Sequence, residues 1–122
     1  MKNKIISLFI VIILSACNDA PVKNNLLGTW QIDSFINLRS SKEELKDGDV
    51  FTLDFRKDSV AITEKEDGYE RYWSYTWSIK DDSIIVVDEG KLAIKELTAE
   101  KLIIEVDWFG HNRLSFHKQK KD

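Results

Sequence analysis

Cys17 is the only cysteine in this chain of 122 residues, so its thiol cannot close an internal disulfide and needs another use. The remaining chemistry-bearing residues are sparse. His111 and His117 are the only histidines, and Asp107 is the one carboxylate close to His111 in sequence. A metal centre needs several convergent ligands, so no metal site is expected. No serine or cysteine is set beside a matching base, and there is no glycine-rich phosphate loop. The acidic pairs Glu43-Glu44 and Asp81-Asp82 fall where a helix or a turn is expected, and solvation explains them. No catalytic residue and no cofactor is expected. The strongest pattern is aromatic: in "ERYWSYTWSIK", alternation puts Trp73, Tyr75 and Trp77 on one face of a strand.

These residues must be positioned by the rest of the chain, beginning with its N-terminus. Met1–Lys4 carries two lysines and no acid, Ile5–Leu14 is almost wholly apolar, and small residues precede Cys17. A positive start, a short apolar run and a small-residue processing site describe a secretory signal. An uncleaved anchor is the alternative, but the run falls short of the roughly 20 residues of a transmembrane helix. The stretch "LSAC" (Leu14–Cys17) resembles the lipobox of bacterial lipoproteins. That resemblance implies that Cys17 becomes the new N-terminus and carries a thioether-linked diacylglyceryl group and an N-acyl chain. Two or more chains anchor stably where one does not. Asn18 after the cysteine resembles the arrangement of enterobacterial outer-membrane lipoproteins, implying a lipid-anchored place in the bacterial cell envelope, at the outer membrane. The expected division is a signal peptide (1–16), a lipidated cysteine with a polar tether (17–25) and one folded domain (26–122).

The net charge is −3, and removal of the signal takes two lysines and no acid. An acidic chain is a poor nucleic-acid binder. It is also repelled by anionic lipid, so acyl chains rather than a basic patch must hold it at a membrane.

From Leu26 the pattern is of strands. Apolar residues recur at every second position in Thr29–Ile36, Asp49–Phe55, Ser59–Thr63, Glu70–Lys80, Lys91–Leu97, Lys101–Asp107 and Asn112–Lys118, and Ser83–Val87 is continuously apolar. Turn-forming residues separate them at Lys57-Asp58, Asp67-Gly68, Asp81-Asp82, Glu89-Gly90, Thr98–Glu100 and Gly110. Such short links join antiparallel neighbours. The expected fold is all-β: an eight-stranded antiparallel up-and-down barrel, closed because closure removes exposed edges. One connection is longer. In Leu38–Gly48, Ser41 stands three residues before Glu44 as in a capping box, which predicts one short helix after the first strand, as a lid over a barrel mouth or a solvated connector.

The opening "LLGTWQIDSF", with Leu26, Gly28 and Trp30, resembles the G-x-W signature of lipocalins. The chain as a whole is similar to small lipocalin-like lipoproteins of Bacteroidetes-type bacteria, through "FTLDFRKDS", "YTWSIKDDSIIV" and "IKELTAEKLIIE". The resemblance implies that Gly28 lets the entering backbone pass close to a neighbour, that Trp30 plugs one barrel end, and that an arginine of the last strand, here Arg113, stacks over its ring. The alternation of Leu114 and Phe116 argues against that last contact.

For function, the Trp73–Tyr75–Trp77 face either lines a pocket for a small hydrophobic ligand or fills the interior, since an eight-stranded barrel is just wide enough for either. The expected role is non-catalytic ligand binding. The alternative is a packed barrel acting as an interaction, scaffold or inhibitor module on an envelope protein; Trp108 and Phe109, in the loop between the last two strands, are either a partner-binding tip or a barrel plug.

Overall fold

A computed structural model describes residues 20–107 and 110–120. Cys17, the expected signal segment, Trp108 and Phe109 lie outside the described residues. Helix α1 (Ala20–Leu26) leads into β1 (Gly28–Asn37), β2 (Lys42–Glu43), β3 (Val50–Phe55), β4 (Ser59–Glu66), β5 (Tyr69–Lys80), β6 (Ile84–Val87), β7 (Gly90–Leu97), β8 (Lys101–Val106) and β9 (Asn112–Lys118). The sheet order is β2-β1-β3-β4-β5-β6-β7-β8-β9, and β1 pairs again with β9. Eight strands, β1 and β3 to β9, therefore close into an antiparallel up-and-down barrel, and β2 is a short clasp on the end of β1.

Local sequence explains the hairpins. Between β4 and β5, Asp67 (φ 52°) and Gly68 (φ 84°) form a two-residue turn with both residues in the left-handed region, which matches the twist of the flanking strands. Alternation then fixes what points inward: Leu53 and Phe55 on β3, Val60 and Ile62 on β4, Leu102, Ile104 and Val106 on β8, Leu114 and Phe116 on β9, all buried. A bulge between Ile32 and Ser34 resets the alternation of β1. Trp30 and Ile32 point in before it, and Phe35 and Asn37 face the interior after it.

The connection after β1 differs from expectation. No helix forms at 38–48; the short helix of the described residues stands before β1. Ser41 has φ 60° and its N–H donates to the Asn37 carbonyl, so it closes a turn instead of capping a helix. Glu43 then folds back on β1, its Oε2 accepting from the backbone N–H of Phe35 (2.6 Å) and of Leu45 (3.2 Å). Burial pushes the Glu43 carboxyl pKa up, but these hydrogen bonds outweigh it and leave the group below its ordinary value.

Helix α1 occupies part of the expected tether and packs on the barrel end where β1 begins. Leu26 is fully buried there, and Val22 and Leu27 pack against the core. Pro21 sits in the first turn, where a missing N–H removes no helical hydrogen bond. The described barrel strands pair wholly within residues 28–118, and the described core runs from Leu26 to Phe116, so residues 18–122 carry every described strand and core residue.

Candidate ligand-binding cavity

The two ends of the barrel are built differently. At the α1 end, large buried side chains, Leu26, Trp30, Phe55 and Trp77, occupy the interior. Trp30 is fully buried and its Nε1 donates to the Leu26 carbonyl at 2.8 Å. The Lys118 ammonium lies 5.2 Å from the centre of the Trp30 ring and donates to the Asn25 carbonyl at 3.3 Å. Trp77, also buried, donates from Nε1 to the Arg56 carbonyl at 2.7 Å and meets Phe55 edge-on, with ring centres 4.9 Å apart. Lys23 of α1 stands 5.5 Å from the Trp77 ring. Both indole N–H groups are thus satisfied, as burial requires.

The other half is hollow. A cavity of about 740 Å³ opens between the β1–β3 connection, the β4–β5 hairpin and the β6–β7 turn. Phe55 forms its floor: it faces the cavity on one side and Trp77 on the other. Three cross-strand rows climb from that floor. The first is Phe55–Val60–Tyr75, the second Leu53–Ile62–Trp73, and the third, at the rim, Phe51–Glu64–Arg71. Polarity therefore rises with height. Val60 is fully buried, Ile62 is 9% exposed and Trp73 is 36% exposed. On the far wall Asn112, 2% exposed, pairs across strands with Asn37, and both side chains face the cavity.

The walls differ in height. β5 runs for 12 residues and β6 for four, so among the described residues Tyr69–Thr76 is paired with β4 only. On the opposite side β1 pairs with β3 only from Gly28 to Gln31. Segment 44–49 closes that gap: the Glu44 N–H donates to the Phe35 carbonyl, and Leu45 packs on the core and lines the cavity. Of the two roles expected for this connection, lid or solvated connector, the first fits the geometry.

Of the aromatic residues singled out by alternation, Trp73 and Tyr75 line the cavity, and Trp77 belongs to the packed end below Phe55. Gly28 is the first residue of β1, and Trp30 is fully buried at the α1 end. Arg113 does not cover Trp30. It alternates with inward-facing Asn112 and Leu114, points out, and donates to Glu105 from Nε (3.2 Å) and from its terminal nitrogen (2.9 Å). The cation over Trp30 is Lys118, farther along the same strand. His117 faces outward, its Nδ1 2.6 Å from Asp33 Oδ1, and His111 lies between Asp107 (2.7 Å) and Glu105 (3.4 Å). Among the described residues no three His, Cys, Asp or Glu side chains converge as a metal site. The cavity residues Glu64, Asn37 and Asn112 escaped the sequence reading. Glu64 and Asn112 were visible as polar residues in phase with Val60–Ile62 and with Leu114–Phe116.

Comparison with known proteins agrees with this geometry. No curated protein matches the chain. Among solved structures, a lipocalin-like protein from Bacteroides uniformis superposes with a TM-score of 0.60 at 20% identity, covering 78% of this chain and 99% of that one. A protein from Bacteroides eggerthii gives 0.56 at 16% identity, covering 76% and 98%. A redesigned β-barrel gives 0.51 at 12% identity, covering 82% and 96%. At these identities the likeness is one of fold. The model of the lipocalin-like domain matches residues 26–104, most of the barrel. The chain is a member of the lipocalin-like domain family.

Proposed function

We propose that this protein is a lipid-anchored envelope lipoprotein whose barrel holds a small apolar ligand and performs no catalysis. The observation that carries the reading is the cavity of about 740 Å³, walled by Ile62, Leu53, Phe55, Trp73 and Tyr75 and closed below by the Trp30–Trp77 plug. Its volume falls within the roughly 300–1,000 Å³ of small-molecule sites, and its lining is mainly apolar, with charged groups from the β1–β3 connection, β4 and the β6–β7 turn. The lipobox-like "LSAC" supports attachment through Cys17, and Asn18 supports an outer-membrane location.

The test uses N-phenyl-1-naphthylamine, a neutral apolar dye that brightens when it leaves water. A domain of residues 18–122 should enhance its emission. Ile62→Trp, which puts an indole into the cavity, should weaken binding by about tenfold. No enhancement, or enhancement indifferent to Ile62→Trp in a variant with an unchanged circular dichroism spectrum, would exclude the cavity as a binding site.

A protein partner on the β4–β5 hairpin is the second reading. Tyr69 (74% exposed) and Tyr72 (63% exposed) stand there beside backbone that is paired with β4 only among the described residues. Tyr72→Lys should abolish such an association and leave dye binding unchanged, measured by co-purification from the envelope.

A further inference from the structure

The charges around the cavity mouth go beyond an apolar pocket and point to the polar end of what fills it; this inference rests on the cavity reading above. Glu44, Asp49, Glu64, Glu66 and Asp88 line the cavity, and Lys65 is the one cation among its lining residues. Arg71 answers Glu64 across the strands, but loosely: the closest approach is 3.9 Å and its side chain is 63% exposed. The carboxylates come from three separate elements, the β1–β3 connection, β4 and the β6–β7 turn, and surround the opening. They meet an apolar, low-dielectric wall, where a charge is felt more strongly than in water.

The aromatic rows carry the same sign. Trp73, 36% exposed, stands one row below Glu64 on the neighbouring strand, with Tyr75 beneath it. A ring face attracts cations and repels anions. A ligand whose apolar body rests on Phe55, Leu53 and Ile62 would bring its polar end level with Trp73 and Glu64. A carboxylate there meets negative charge and π-electron density together, whereas an ammonium meets two favourable partners. We propose that the cavity selects an amphiphilic molecule with an apolar or aromatic body and a cationic amine at its outer end, and disfavours carboxylate-headed molecules of the same shape.

The experiment is displacement of bound N-phenyl-1-naphthylamine from residues 18–122 by 4-phenylbutylamine, 4-phenylbutanol and 4-phenylbutyrate at neutral pH. These share one body and differ in head charge. The amine should displace the dye at about tenfold lower concentration than the alcohol, and the acid should be weakest. High salt should narrow the spread. A Glu64→Gln/Glu66→Gln/Asp88→Asn variant should bring the three together, whereas Asp58→Asn, in the turn at the plugged end, should not. Trp73→Leu should weaken the amine more than the alcohol. Equal displacement by all three, or the acid as the best competitor, overturns the cationic preference and leaves the cavity reading standing. Failure of the dye itself to bind overturns both.

Discussion

The ammonium of Lys118 sits over the face of Trp30, 5.2 Å from the ring centre, and the side chain reaches that position by running across Gly28. A Cβ built on Gly28 would stand 2.7 Å from Lys118 Cε. Glycine at this position therefore does two things: it adopts φ 122°, and it leaves the groove in which the lysine lies. The glycine, the tryptophan two residues later and a cation from the last strand form one structural unit at the plugged end.

That unit should show coupling. Gly28→Ala forces a side chain into a backbone region that disfavours it, at a cost of more than about 1 kcal/mol. It also displaces Lys118 from Trp30, and the cation–ring contact is itself worth about 0.5–1 kcal/mol. In a Lys118→Ala background the second loss has already occurred. The two changes should therefore sum to more than the double variant costs in urea unfolding followed by circular dichroism. Strict additivity would mean that the glycine does not serve the lysine.

Acid should loosen the other end of β9 in a defined window. The Arg113 guanidinium hydrogen-bonded to Glu105 holds that carboxyl below its ordinary value of 4.5, with Lys95 and His111 adding to the effect. A depressed folded-state pKa contributes stability that is complete above about 4.5 and lost as pH falls through the folded value. Glu105→Gln should lower the thermal midpoint at neutral pH and flatten its decline below pH 4.5. Arg113→Met should flatten the same limb; a wild-type slope in both variants would remove the pair from the acid response.

Trp73 and Trp77 stand four residues apart on one face of one strand and should behave oppositely. Trp77→Ala removes a buried ring that packs on Phe55 and donates to Arg56, so a loss of about 3–5 kcal/mol is expected, by the usual cost of such truncations. Trp73→Ala takes away a partly exposed ring and should cost far less stability. Dye affinity should fall in Trp73→Ala and hold in Trp77→Phe. Matching losses of stability in the two alanine variants would contradict the division of the barrel into plug and cavity.

Attachment is tested at Cys17. Cells fed labelled palmitate should mark the wild-type chain, and Cys17→Ser should take up none and appear in the soluble fraction. Continued labelling of Cys17→Ser would place any acyl chain elsewhere.

Much of this barrel was legible in the residues because alternation is a one-dimensional code for which face of a strand is wet. Phe51–Leu53–Phe55, Leu102–Ile104–Val106 and Leu114–Phe116 each show their inward side without reference to any partner. Three features did not follow that code. The helix expected within Leu38–Gly48 does not form: Glu43 gains backbone partners on β1, a tertiary contact that local capping signals do not contain. The cation over Trp30 depends on where β9 ends in space; the resemblance pointed to Arg113, and its parity was the warning in the sequence. The division of Trp73 and Tyr75 from Trp77 depends on depth along the barrel axis, which alternation leaves blank.

Helix α1 has a geometric consequence for a lipid-anchored chain. It docks on the plugged end and begins at Ala20, so a lipidated Cys17 would be joined to the barrel by a leash of about 10 Å at full extension. So short a leash would hold the plug toward the bilayer and turn the acidic mouth away from it. Cargo would then arrive from the aqueous side or from a partner facing the membrane, rather than by sliding out of the lipid beneath.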